Sequence, residues 1–170
     1  MNKYIFPIGL LLFVIAVAMG ITHFTQPEKP QPKIMEGWKH ISFDQTGNSY
    51  YIDPDSITKD SQTEDELRFH ATFYKIYSEK GLNAFKKSFN IDDSMLTDLD
   101  HEIDVMHFRD FDGIKYITSA TSKFYKTDGS EITELEMKVS FDENIDTKPI
   151  PGKSIGENLY DYAYQRVKKD

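Results

Sequence analysis

Two histidines, His101 and His107, stand among four carboxylates, Asp98, Asp100, Glu102 and Asp104. Imidazoles beside carboxylates are a donor set for transition metals. Acids at every second position also resemble the start of a calcium loop. The spacing speaks against both. Counting from Asp98, the sixth position of a calcium loop needs glycine and holds Ile103, and the twelfth needs a bidentate glutamate and holds Arg109. The histidines do not form a His-Glu-x-x-His pair. If the stretch is extended, alternation sends both histidines to one face and all four acids to the other. The reading that remains is a solvated acidic loop leading into a strand. No metal ligand, cofactor-binding residue or catalytic residue is assigned, and any metal on the 98–104 stretch stays undecided.

Other chemistry finds no better footing. There is no glycine-rich phosphate loop and no Gly-x-Ser-x-Gly elbow. Serines, histidines and aspartates occur in no arrangement that prepares a nucleophile. The chain has no cysteine, which removes disulfides, thiolate metal sites, thiol catalysis and a lipid-modified cysteine. A net charge of −8 offers no basic stripe for phosphates, so nucleic acid is excluded as a partner. The expectation is a protein that is not an enzyme and needs no cofactor. Ten Tyr and twelve Phe suit either a sheet core or an aromatic recognition patch.

These residues need elements to hold them, and the 170-residue chain divides into three parts. Residues 1–21 open with Lys3 and continue as a charge-free run over residues 5–21. That pattern is an export segment. Two forms of it stay open: a signal sequence cleaved after Ala16-Val17-Ala18 or Ala18-Met19-Gly20, or an uncleaved membrane anchor, for which residues 5–21 just suffice. Residues 22–35 form a spacer stiffened by Pro27, Pro30 and Pro32. Residues 36–170 form the folded domain, outside the cytoplasm and either anchored or released, at the cell surface or in the periplasm.

Within that domain the patterning predicts an α+β fold: an antiparallel six-stranded sheet, a C-terminal helix packed on one face, and a short helix between strands 3 and 4. The strands are expected near residues 38–43, 49–52, 67–77, 103–109, 114–125 and 132–139. In the third strand Leu67, Phe69, Ala71, Phe73 and Tyr77 share a face interrupted by Lys75. Residues 59–65 read as a polar loop. Leu82, Phe85 and Phe89 give the short helix its stripe, with Ser78 as N-cap. In the fifth strand the face of Ile114, Tyr116, Thr118, Ala120, Ser122 and Phe124 is small at its middle, so the last helix is docked over Thr118, Ala120 and Ser122. Asp128-Gly129 makes the hairpin that follows. The last helix begins at Ser154, with Glu157 at capping-box spacing, and carries Ile155, Leu159, Tyr162, Ala163 and Val167 inward.

The order of these features, with Trp38 opening the body, Tyr50-Tyr51-Ile52-Asp53-Pro54-Asp55-Ser56-Ile57, Asp128-Gly129, and Pro151-Gly152 ahead of the final helix, resembles the surface-adhesin E family of bacterial exported proteins. The resemblance spans about residues 37–167. It implies a six-stranded antiparallel sheet with the C-terminal helix across its concave face, binding to host matrix proteins such as vitronectin and laminin, and homodimers. The family often ties its helix to the sheet by a disulfide, which this chain lacks, and no binding residue carries over. The resulting expectation is an exported, membrane-tethered, non-enzymatic binding module with a protein partner. A periplasmic or envelope module that binds a ligand or protein, with no host partner, is the alternative.

Overall fold

The computed structural model describes residues 36–89, 96, 98–135, 137–140 and 149–169. The stretch read as an export segment, residues 1–21, and the spacer read over residues 22–35 lie outside the described residues. No helix among the described residues is long and apolar enough to cross a membrane. The elements run β1 (Lys39–Phe43), β2 (Ser49–Ile52), β3 (Thr58–Gln62), β4 (Glu66–Ile76), α1 (Glu79–Phe89), β5 (Leu99–Phe111), β6 (Ile114–Lys126), β7 (Met137–Ser140) and α2 (Ile155–Val167).

The predicted α+β fold stands. Every strand pairs antiparallel to its neighbours in the order β1-β2-β4-β5-β6-β7, a simple meander, with β3 paired to β4. The added strand β3 lies in the stretch read as a polar loop. It does not widen the sheet, because β2 pairs with residues 73–76 of β4 and β3 with residues 67–70. The two strands therefore share one edge of β4, end to end, and the sheet stays six positions across. Between them Asp53-Pro54-Asp55-Ser56 makes a short 3-10 turn, as proline cannot donate to the ladder. The Asp53 carboxylate accepts from the Asp55 amide at 3.0 Å. The Ser56 hydroxyl accepts from the Thr72 amide at 2.8 Å, standing in for the strand partner that the turn removes.

The inner face carries the main core. Leu67, Phe69, Ala71 and Phe73 of β4, Met106 and Phe108 of β5, Ala120 of β6, and Tyr50 and Ile52 of β2 meet Ile155, Leu159, Tyr160, Ala163 and Val167 of α2. Serine 154 caps α2 as expected, its hydroxyl accepting from the Glu157 amide at 3.1 Å. The predicted stripe misplaced one ring. Tyr160 is fully buried, whereas Tyr162 is only partly covered. Tyr160 packs against Phe69 and Phe108 and donates its hydroxyl to Asp110 at 2.7 Å. Burial and that carboxylate push the phenol well above its ordinary range.

The expected docking over Thr118, Ala120 and Ser122 also needs correction. A bulge lies where His107 pairs with Ser119 and Phe108 with Ile117, leaving Thr118 as the extra residue. An inserted residue flips the strand's alternation. Ile117 therefore joins Ala120 in the core beneath α2. Lys115, on the same side, reaches Asp161 at 2.7 Å and Glu157 at 3.1 Å on the helix.

A second core sits under α1, where Tyr77, Phe85, Leu96, Leu99, Phe124, Ile132 and Leu135 cluster. Ser78 caps α1, its hydroxyl accepting from the Gly81 amide at 2.9 Å. Gly81 is required by contact, since a Cβ there would come within 1.7 Å of Asn48 Oδ1. The strand expected over residues 132–139 is shorter. Thr133–Leu135 is a 3-10 turn, and β7 begins only at Met137. The β5–β6 hairpin closes through Asp112 and Gly113 at φ 51° and 75°, the conformation a two-residue loop needs.

Candidate functional site

Strand alternation splits the chemistry-bearing residues between two faces. On the inner face, Lys75 interrupts the apolar series of β4 and faces Glu102 of β5, with Nζ to Oε2 at 3.0 Å. Tyr77 donates to the same carboxylate oxygen. Lys75 also donates to the Tyr77 hydroxyl at 3.2 Å. Two residues along β5, Asp104 accepts from Ser122 at 2.5 Å. Glu102 and Asp104 are both fully shielded from solvent. This polar seam divides the core under α2 from the core under α1.

The seam's electrostatics follow from that burial. Burial first, and then the neighbouring Glu102 charge, push Asp104 well above the usual carboxyl range. Burial also works against Glu102 as an anion, but the Lys75 ammonium outweighs it, with hydrogen bonds from Asp104, Tyr77 and Lys75, and holds Glu102 low. Asp104 is therefore the protonated member, and Glu102 and Lys75 are the ion pair. Glu102 Oε1 and Asp104 Oδ2 have no hydrogen-bond donor among the described residues. The hydrogen bond between the two carboxyls that helps to hold Glu102 low and Asp104 high needs the Asp104 proton. The network ties β4, β5 and β6 together across the core.

Among the described residues no helix packs on the outer face. A row of rings crosses it. Trp38 meets the Tyr74 ring edge-on at 5.5 Å, Tyr74 stacks on His101 at 4.4 Å, and His101 stacks on Tyr125 at 5.0 Å. His40 adds an edge contact to Tyr51 at 5.0 Å. Trp38 and Tyr125 are partly open and His40 is exposed, while Tyr51, Tyr74 and His101 are buried within the row. Past the rings the face turns polar. Glu66 Oε1 takes Arg68 at 2.8 Å and Arg109 at 2.5 Å, and Arg109 lies over the exposed Phe111.

Between these ends sits a third group. His70 of β4 and His107 of β5 are direct cross-strand partners, with ring centroids 5.0 Å apart. Asp60 of β3 turns toward both. Its Oδ1 lies 2.7 Å from His70 Nδ1, and its Oδ2 lies 3.7 Å from His107 Nδ1. One donor atom from each residue falls within 4.8 Å of the others. All three side chains are partly solvent-accessible.

The residues singled out in the sequence are thus dispersed. Residues 99–111 run as one strand, so no calcium loop forms around them. Both histidines do lie on the outer face, with Glu102 and Asp104 opposite them on the inner one. But His101 is held by the ring row and by Asp100 at 2.9 Å, apart from His107. Asp98 precedes the strand at φ 67°. The acids read as solvated in the sequence, whereas Glu102 and Asp104 are the most deeply buried ionisable groups among the described residues; the unmatched Lys75 was the clue to their burial. Asp60 and His70 had no signal, because their meeting with His107 depends on strand pairing across α1. Searches against protein-family models, curated proteins and solved structures find no match to this chain.

Proposed function

We propose that this protein is an exported, non-enzymatic binding module, tethered to a membrane through residues 5–21, and that it meets a protein partner with the outer face of its sheet. The carrying observation is the asymmetry of the fold. Helix α2 closes the inner face, while the outer face presents partly open rings at Trp38 and Tyr125 and an arginine pair at Arg68 and Arg109. Aromatic residues and arginine are the types enriched where proteins meet. The charge-free run behind Lys3 and the proline spacer are what an extended display from a membrane needs. The agreement of sheet and helix with the architecture implied by the surface-adhesin E resemblance supports the same reading, and that resemblance points to host matrix proteins and to homodimers.

Protease shaving of intact cells tests this. Loss of the body from unbroken cells, together with vitronectin or laminin binding that Tyr125→Asp weakens, is the expected result. Protection of the body until the outer barrier is opened would overturn surface display. It would move the binding face to a partner inside the envelope.

A further inference from the structure

The group on the outer face has the makings of a metal site that the binding-module reading does not require. Three adjacent strands each supply one donor. His70 and His107 come together because β4 and β5 pair them directly opposite one another, where same-face side chains are closest. Asp60 stands at the irregularity of β3 between Lys59 and Ser61, where the register with β4 shifts. A bulge re-aims a side chain, and here the carboxylate is aimed at both imidazoles. Each histidine offers the same nitrogen, Nδ1, toward the same carboxylate.

We propose that Asp60, His70 and His107 bind a divalent transition-metal ion of the zinc class. Two imidazole nitrogens with one carboxylate oxygen suit zinc, nickel or copper, whereas calcium and magnesium take oxygen ligands. Bonds of roughly 2.0–2.2 Å to a tetrahedral ion would separate donor atoms by about 3.3–3.5 Å. The present contacts, Oδ1 to His70 at 2.7 Å and Oδ2 to His107 at 3.7 Å, are made by different carboxylate oxygens and lie on either side of that value. Small side-chain rotations reach it, with the ion replacing the proton that now joins His70 to Asp60. Glu66 engages the nearby cations Arg68 and Arg109, which lessens their repulsion of a dication. Three protein ligands leave a fourth position open to solvent, available to water or to a side chain of a partner.

The test is titration of the untagged full chain, in detergent, with Zn2+ by calorimetry and with Co2+ by visible absorption. The expected result is one ion per chain, a tetrahedral Co2+ spectrum and a rise in melting temperature with Zn2+. His70→Ala and His107→Ala should each weaken binding at least about tenfold, since losing even a residue that supports a metal ligand costs 10- to 100-fold. Asp60→Asn should weaken it as well, and His40→Ala, outside the group, should leave it unchanged. The three ligand side chains are partly exposed, so the variants are expected to fold, and their melting without metal checks this. Absence of saturable binding by the wild type, or binding that His70→Ala and His107→Ala leave intact, would overturn the assignment.

Discussion

Asp104 carries the sharpest consequence of the buried seam. A carboxyl whose folded pKa lies above its unfolded value stabilises the protein fully below the unfolded pKa. That contribution is lost as pH rises toward the folded pKa. Asp104 is raised, so its window opens above about pH 4, where unfolded aspartate ionises. Glu102 is lowered, so its contribution has the opposite sense and is lost at more acid pH. Above pH 4 the Asp104 contribution should fall by at most about 1.4 kcal/mol per pH unit. Asp104→Asn keeps the size and the acceptor for Ser122, and its amide can donate to Glu102 without ever ionising. Urea denaturation from pH 5 to 8 should show the wild type losing stability and the variant holding level. An equal slope in both would place the proton elsewhere.

At the scale of the element, α2 is held without any covalent tie to the sheet, as the chain has no cysteine. Its attachment is the inward row Ile155, Leu159, Tyr160, Ala163 and Val167, with Lys115 bridging to Glu157 and Asp161 at its first turns. Leu159 and Ala163 are both fully enclosed. Leu159→Asp removes a side chain whose loss alone costs about 2–5 kcal/mol and adds an unpaired charge. Thermal melting should fall sharply, with exposure of the face built on Phe69 and Phe108. An unchanged melting curve would mean that α2 does not close this core. The cap and stripe of α2 were legible from Ser154, Glu157 and the helical spacing, because both are local. The inward turn of Tyr160 was not, because it depends on the ring space between Phe69 and Phe108 and on Asp110 at the end of β5.

At the scale of the molecule, the described members of both cores lie at position 41 and beyond, and the proposed tether through residues 5–21 predicts that the body folds without it. Residues 36–170, exported behind a cleavable signal, should fold with an unchanged melting temperature and appear in the soluble fraction. The full chain should remain with membranes. Recovery of the full chain in the soluble fraction at reduced mass would instead show that the N-terminal segment is cut. The size of the protein on shaved cells reads the same point.

Apart from β3, which read as a polar loop, and the late start of β7, the strands, their hairpins, the two capped helices and the α+β class were determined by the sequence alone, because each rests on alternation, turn chemistry or capping within a dozen residues. The same is true of the histidines facing away from Glu102 and Asp104, which period-two alternation fixes. Tertiary structure decided the rest. The bulge at Thr118 put Ile117, in place of Thr118, beside Ala120 beneath α2, since one inserted residue inverts the side chains beyond it. Pairing of β4 with β5 across α1 brought Lys75 to Glu102 on one face and His70 to His107 on the other. The register of β3 then set Asp60 over those two histidines. Contacts between residues 10 to 47 positions apart are set by which strands pair and in what register, and no local pattern of residue types carries that information.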